Sequence, residues 1–213
     1  MDFGSFAKLL RPQPYFDLAT AVQLVGQSRH TLRVQLARWS KAGKLLPLKR
    51  GMYAFAEPYA AQPVNPAELT NQLYTPSYLS GQWALSYYAL VPEGVGMYTS
   101  TTTRVPRTFR NAFGVFRYQS IKPAGFFGYR AVQIDGRAVI IAEPEKALLD
   151  FWHLQPGPWA IQRLKEMRFQ NTDLVNAGRL REYARRLESP RLLRAADLWP
   201  EICSQDQEGT VTL

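Results

Sequence analysis

Three acidic residues and a lysine near the middle of the chain are of the types that nucleases use to cut phosphodiester bonds. Asp135 precedes Glu143, Glu145 and Lys146. A nuclease needs an acid and a lysine two positions apart on one strand, so that both charged groups share a face. Glu145 and Lys146 are adjacent, so a nuclease is disfavoured. The two glutamates instead suit the first turn of a helix, where the helix dipole stabilises acids by about 0.3–1 kcal/mol, and Lys146 is spaced to pair with Asp150.

Other patterns that support enzyme chemistry are incomplete. His30 and His153 are the only histidines and fall in different predicted domains, which disfavours a Ser-His-Asp site and a two-histidine metal site. Gly94 and Gly96 lack the third glycine of a dinucleotide-binding loop. Cys203 is the only cysteine, so neither an internal disulfide nor a cysteine-based metal site is available. We therefore expect no enzyme activity, no cofactor and no bound metal.

The basic residues give a stronger signal. The net charge is +9 over 213 residues, and residues 1–57 hold nine Lys and Arg against three Asp and Glu. No acid occurs between Leu18 and Ala56, and a second acid-free stretch runs from Gly94 to Ile134. An excess of positive charge that lies mainly in one segment indicates a polyanionic partner such as nucleic acid.

Two short helices account for most of the first basic stretch. Asp17 is suited to be the N-cap of a helix that starts at Leu18 and ends at Gly26. Ser28 is suited to cap a second helix, which Gly43 ends. Two helices joined by a short turn that contains glycine are typical of a helix-turn-helix unit.

A β-hairpin is predicted directly after these helices. Residues 44–48 and 52–55 form its strands, and Lys49, Arg50 and Gly51 form its turn. Pro47 is tolerated there because an edge strand leaves an N–H group unused. The helix-turn-helix and the hairpin together predict a winged helix.

The second helix has a buried side and an outward side. Leu32, Leu36 and Trp39 recur at helical spacing and define the inward direction. We predict DNA binding by the outward and flanking positions, the first turn and the hairpin turn: Ser28, Arg29, His30, Thr31, Arg33, Val34, Ala37, Arg38, Lys41, Lys49 and Arg50. In a major groove, Arg bonds guanine through two hydrogen bonds, and Val or Ala contacts a thymine methyl group. The alternative is a protein-docking winged helix, which predicts no DNA binding.

The remainder of the chain predicts a second domain. We expect a winged helix-turn-helix domain over 1–57, a proline-rich linker over 58–66 and an α/β domain over 67–213. In the second domain the patterns predict helices over 67–74 and 79–90, strands over 97–105, 115–121, 126–134 and 137–142, a helix from Pro144, and helices over 159–169, 173–187 and 190–199 before a polar tail from Cys203. The predicted fold class is α+β, with a mostly antiparallel sheet of about four strands and C-terminal helices.

Three arginines of the second acid-free stretch form a possible partner or nucleic-acid surface. Arg104, Arg107 and Arg110 are spaced by three on or beside a strand, so they would not all share one face. They can extend a DNA footprint, face an acidic protein, compete for RNA, or serve only as a charged sheet edge that discourages strand pairing.

Three segments of the chain together resemble the AbiEi family of antitoxins. They read YLSGQWALS at 78–86, TSTTTR at 99–104 and IAEPEKALLD at 141–150, and the last is the most distinctive. The residues YYAL at 87–90 depart from the His-Gly-Leu expected in the family, so a histidine role there is absent. The resemblance extends from the predicted winged helix to about Leu154.

The resemblance implies a function for both domains. The first would bind inverted repeats in its own promoter and repress transcription. The second would counteract a cognate nucleotidyltransferase-like toxin of a bacterial type IV toxin–antitoxin, or abortive-infection, module that acts in phage defence. The alternative is a winged-helix regulator that responds to a small ligand and has no toxin partner. The chain lacks a signal-peptide pattern and a run of about 20 apolar residues, so we expect a soluble cytoplasmic protein with no membrane partner.

Overall fold

The chain folds as an α+β protein, which confirms the predicted class. The computed structural model describes the backbone of residues 1–210 and the side chains of residues 1–204. Within that part, helices accompany a three-stranded antiparallel sheet and a six-stranded mixed sheet.

The first part of the chain builds helices around the small sheet. Its elements are α1 (Phe3–Leu10), β1 (Tyr15–Asp17), α2 (Leu18–Val25), α3 (Arg29–Lys41), β2 (Leu45–Lys49) and β3 (Met52–Phe55). Strand β3 lies in the middle and pairs antiparallel with β1 and β2. The patterns in the sequence did not predict α1 and β1.

Hydrogen bonds at the predicted helix starts confirm both N-caps. The amide of Thr20 donates to Oδ1 of Asp17 at 2.7 Å, and the amide of Thr31 donates to the hydroxyl of Ser28 at 3.2 Å. Gly26 ends α2 with a φ of +68°, a conformation that favours glycine. These local signals set the turn between α2 and α3.

The second part of the chain contains the six-stranded sheet. Its elements are α4 (Pro66–Leu73), β4 (Ser77–Leu79), α5 (Gly81–Tyr87), β5 (Met97–Thr102), β6 (Arg107–Asn111), β7 (Gly114–Ser120), β8 (Tyr129–Ile134), β9 (Arg137–Ala142) and α6 (Pro144–His153). The strand order is β6-β7-β5-β4-β9-β8. The β4–β5, β6–β7 and β8–β9 pairs are antiparallel, whereas the β5–β7 and β4–β9 pairs are parallel.

The prediction of about four strands was wrong, because the sheet has six strands and the sequence patterns missed β4 and β6. The predicted helix over 79–90 begins too early, since Leu79 belongs to β4 and pairs with Ser100 and Ile141 on neighbouring strands. A strand of three residues is too short to show an alternation, and pairing with both neighbours overrides local propensity there. Strand β6 was not predicted because its arginines interrupt the apolar pattern of a strand.

The chain ends in a set of short helices. They are α7 (Ile161–Glu166), α8 (Ala177–Arg186), α9 (Pro190–Asp197) and α10 (Trp199–Thr210). Helix α10 extends through much of the tail predicted from Cys203, and residues 211–213 of that tail lie outside the described residues. No helix within residues 1–210 is long and apolar enough to cross a membrane.

Within residues 1–204 the buried apolar residues form three clusters, and one of them joins the two parts of the chain. The first cluster lies among α1, α2, α3 and the small sheet, and the largest lies between the mixed sheet and the later helices. In the third, Leu48 and Met52 of the β2–β3 hairpin pack with Leu73, Tyr74 and Phe116 of the second part. The hairpin therefore packs both against the helices of the first part and against the second part of the chain.

The proline-rich segment 58–66 also packs against both parts. Glu57–Tyr59 forms one turn of 3-10 helix. Tyr59 and Ala60 pack on the first cluster, whereas Val64 packs on the third. The segment predicted as a linker therefore contributes contacts on each side.

Candidate nucleic-acid interface

Helix α3 is held in place by an apolar stripe on one side. Leu32 and Leu36 have no exposed surface, and Trp39 is nearly buried. The ring of Trp39 packs against Phe3 and Phe6 of α1, with centroid separations of 5.3 and 4.7 Å. These contacts fix the direction in which the opposite side of α3 faces.

The opposite side of α3 is exposed and positively charged. Val34 is 59% exposed. The predicted DNA-binding residues from the N-cap to the last turn are all exposed: Ser28, Arg29, His30, Thr31, Arg33, Val34, Ala37, Arg38 and Lys41. Within residues 1–204, no ion pair joins any cation of this group to a carboxylate. We call this surface the basic face of α3.

The hydroxyl groups at the start of α3 have a local structural role. Ser28 accepts the hydrogen bond from the amide of Thr31, and the two hydroxyl oxygens lie 2.8 Å apart in a further hydrogen bond. The first amides of a helix have no partner within the helix, and the Ser28 cap satisfies one of them. The side chains of Arg29 and His30 extend from the same turn into solvent.

A cavity of about 490 Å³ lies between the first turns of α2 and α3 and the β2–β3 hairpin. Four of its lining residues are cations: Arg29, Arg33, Lys49 and Arg50. Asp17 also lines it, but its carboxylate already accepts the amide of Thr20. The balance of charge around this cavity favours an anion.

Lys49, one of the predicted DNA-binding residues, also holds the hairpin to α4. Its ammonium group donates to the carbonyl oxygens of Leu73 and Gln72, at 2.7 and 3.4 Å, at the end of α4. Burial lowers the pKa of Lys49, and the negative charge of Asp17 opposes this. The third apolar cluster carries the end of α4 to this point, which local sequence does not reveal. The exposed cation of the turn is Arg50.

Arg104, Arg107 and Arg110 do not all lie on one face, as expected from their spacing. Arg104 lies in the loop between β5 and β6, and Arg107 begins β6. Because strand residues alternate between faces, Arg107 lies on the same side as its β7 partner Tyr118. Arg110 lies on the opposite side of the sheet.

Arg104 and Arg107 lie around one aromatic ring. The guanidinium group of Arg104 is 4.3 Å from the ring centroid of Tyr74, and that of Arg107 is 5.6 Å from it. Arg104 also donates to the carbonyl oxygen of Thr75 at 3.1 Å. Both arginines are exposed.

Tyr53 and Asp17 line the cavity, and the sequence did not assign either of them to the interface. Asp17 was predicted only as a helix cap. On β3, Met52 and Ala54 are buried, so alternation places Tyr53 on the other side of the strand. The sequence MYAF at 52–55 carries no alternation that would have identified Tyr53, since Phe55 on the same side is buried.

A buried polar cluster contains the lysine of the nuclease-like pattern. Lys146 forms an ion pair with Asp150, as predicted, and neither side chain has exposed surface. Asp150 also accepts hydrogen bonds from the hydroxyl groups of Tyr78, Ser80 and Thr101, at 2.9, 2.7 and 3.2 Å. These bonds fasten α6 to the sheet.

The acids of the same pattern have separate surroundings. Asp135 is exposed in the turn between β8 and β9. Glu143 accepts a hydrogen bond from the hydroxyl of Tyr183 at 2.7 Å, and the buried Glu145 accepts one from the amide of Asn176 at 2.8 Å. The two glutamates hold the C-terminal helices against the start of α6.

Comparison with known proteins assigns no family to the chain. No protein-family model matches it, and no curated protein matches it at a significant level.

Proposed function

We propose that the first part of the chain is a winged helix-turn-helix that binds double-stranded DNA. Helix α3 lies in the major groove, and the β2–β3 hairpin lies on the adjoining backbone or minor groove. The observation that carries this proposal is the basic face of α3, which is exposed and has no ion-paired carboxylate within residues 1–204.

The chemistry of the basic face fits base recognition. Arg33 and Arg38 can each donate two hydrogen bonds to a guanine edge. Val34 and Ala37 are small apolar groups at outward positions of the helix, suited to thymine methyl groups. His30 in the first turn can donate to a base or a phosphate.

The chemistry around the helix fits backbone contact. Arg29 and Arg50 line the cavity between α3 and the hairpin, where a DNA phosphate is the matching anion. Each phosphate that the protein neutralises adds about 0.9 to the slope of log affinity against log salt concentration. Binding should therefore weaken steeply as salt rises.

We further propose that the protein is an antitoxin and an autorepressor. The segments 78–86, 99–104 and 141–150, which resemble AbiEi antitoxins, support this role. The protein binds inverted repeats in its own promoter through the winged helix. It counteracts a nucleotidyltransferase-like toxin through the second part of the chain.

A reporter driven by the DNA upstream of the coding sequence tests repression. Wild-type protein should repress the reporter, and the double variant Arg33→Glu/Arg38→Glu should not. The variant Arg185→Glu/Arg194→Glu is the matched control, because it makes the same change of charge at exposed positions of α8 and α9. If Arg33→Glu/Arg38→Glu represses the reporter as strongly as the control variant does, the assignment of α3 is contradicted.

Co-expression with the product of the neighbouring gene tests the antitoxin role. The neighbouring product should arrest growth alone and be harmless together with this chain. Growth arrest that persists despite expression of the folded chain would contradict the role. Repression without any toxic neighbour would favour a regulator instead.

A further inference from the structure

The cations at the end of α4 come from both parts of the chain. Lys49 of the hairpin donates to the carbonyl oxygen of Leu73, and Arg104 of the β5–β6 loop donates to that of Thr75. Leu73 is the last residue of α4, and the last carbonyl groups of a helix lack partners within it and carry partial negative charge. Thr75 lies two residues beyond it. The end of α4 therefore gathers two positive groups that are distant in sequence.

Aromatic rings hold the arginines of this group in place without covering them. Arg107 lies 5.6 Å from the ring centroid of Tyr74 and 5.9 Å from that of Phe109, and Arg104 lies over the same Tyr74 ring. An arginine over an aromatic face keeps N–H donors at the edge of its planar group. Both guanidinium groups are thus in contact with an aromatic ring, exposed and able to bond an oxyanion.

The surface that carries these arginines adjoins the hairpin. The side-chain amide of Asn111 on β6 donates to the carbonyl oxygen of Leu48 on β2 at 3.2 Å. Arg50 follows Lys49 directly at the hairpin turn. Within residues 1–204, no carboxylate forms an ion pair with Arg50, Arg104 or Arg107.

We propose that a duplex bound on α3 and the hairpin continues onto Arg104 and Arg107, whereas Arg110 makes no contact with it. This inference rests on the proposed DNA-binding function. A duplex carries one negative charge per roughly 1.7 Å of its axis, so its backbone suits a cationic surface that extends beyond one helix. Arg110 is excluded because it lies on the opposite face of β6. One duplex thereby contacts both parts of the chain.

Two charge reversals on β6 test this proposal in the full-length chain. Arg107→Glu and Arg110→Glu make the same change of charge on one strand but on opposite faces. Fluorescence anisotropy measures their affinity for a promoter duplex that extends one helical turn beyond the site at both ends. Arg107→Glu should weaken binding about tenfold and lower the salt slope by about 0.9. Arg110→Glu should stay within about twofold of wild type.

Duplex length supplies a second, independent readout. Duplexes trimmed at one end or the other identify the end that lies beyond the hairpin, because trimming it should weaken wild-type binding. On that trimmed duplex, wild type and Arg107→Glu should bind alike. Thermal unfolding of both variants, together with the milder Arg107→Gln, separates lost contact from lost folding.

The outcomes distinguish this proposal from the proposed function. If Arg107→Glu and Arg110→Glu bind the long duplex equally while Arg33→Glu/Arg38→Glu does not bind, the extended surface is wrong and the winged helix stands. If Arg107→Glu binds DNA as wild type does but no longer counteracts the toxin, the surface contacts protein and the proposal is overturned. If wild type binds no duplex, both proposals fail.

Discussion

Lys146 and Asp150 form an ion pair one turn apart on α6, and neither side chain has exposed surface. Three hydroxyl groups from β4, the residue after it and β5 complete the surroundings of the carboxylate. In sequence the pair looks like an ordinary surface pair of a helix. In the fold it is the polar centre of the contact between α6 and the sheet.

Removal of the negative charge from this pair should destabilise the protein strongly. Asp150→Asn should lower the free energy of unfolding by about 3–5 kcal/mol, because it leaves the Lys146 ammonium group buried without its carboxylate. Urea unfolding followed by tryptophan fluorescence measures the loss. Glu201→Gln is the matched control, since the Lys165–Glu201 pair is partly exposed and should contribute about 0–1 kcal/mol. Equal losses of unfolding free energy in Asp150→Asn and Glu201→Gln would contradict the burial of the Lys146–Asp150 pair.

Two glycines with left-handed backbone should respond differently to alanine. Gly128 and Gly136 have φ values of +68° and +73°, so alanine at either should cost about 1–2 kcal/mol. A Cβ at Gly128 would lie 2.9 Å from the Tyr183 ring and 3.1 Å from Cβ of Lys146, whereas nothing lies within 4 Å at Gly136. Gly128→Ala should therefore cost a further 1–3 kcal/mol or so. Calorimetric unfolding of both variants checks the difference, and similar melting temperatures would refute the packing at Gly128.

The contribution of the Asp17 cap to the free energy of unfolding should depend on pH. The hydrogen bond from the Thr20 amide lowers the pKa of the Asp17 carboxyl. A carboxyl with a lower pKa in the folded state stabilises the protein above its unfolded pKa of about 3.9. That contribution is lost as the pH falls through the folded pKa.

Asp17→Ala should consequently cost about 1 kcal/mol at about pH 7, and the deficit should shrink as the pH falls below about 4. Urea unfolding across this pH range measures it. Asp17→Asn keeps an acceptor without the charge, so it should retain most of the stability at neutral pH. A deficit for Asp17→Ala that is the same at both ends of the range would contradict the ionised cap.

Lys49 and Arg50 are adjacent, but their effects on stability should differ. Lys49→Met should lower the free energy of unfolding by about 1 kcal/mol, because the carbonyl oxygens of Gln72 and Leu73 lose their donor. Arg50→Met removes an exposed cation that forms no ion pair within residues 1–204, so it should leave stability within about 0.5 kcal/mol of wild type. Chemical unfolding compares the two variants, and the reverse order would show that Lys49 does not hold the hairpin.

Signals carried by a few neighbouring residues predicted much of the fold. The caps at Asp17 and Ser28 and the stop at Gly26 depend only on backbone conformation and adjacent hydrogen bonds. The turn at Asp135 and Gly136 has positive φ at both residues, as a two-residue hairpin requires. Such features are visible in sequence because their causes are local.

Features that depend on distant partners were not predictable in this way. Strand β4 exists because β5 and β9 pair with its two edges. The direction of Lys49 depends on where the third apolar cluster brings the end of α4. The outward side of α3 was predictable, because the helical spacing of Leu32, Leu36 and Trp39 identifies the buried side.

The most direct test of the central claim is a gel-shift titration with the promoter duplex and a scrambled duplex of equal length, at several salt concentrations. The predicted result is tighter binding to the promoter at every salt concentration, with affinity for both falling steeply as salt rises. Arg33→Glu/Arg38→Glu should abolish the promoter complex. Equal affinity of the wild-type protein for the two duplexes throughout the series would contradict the assignment of α3 as a sequence-reading helix.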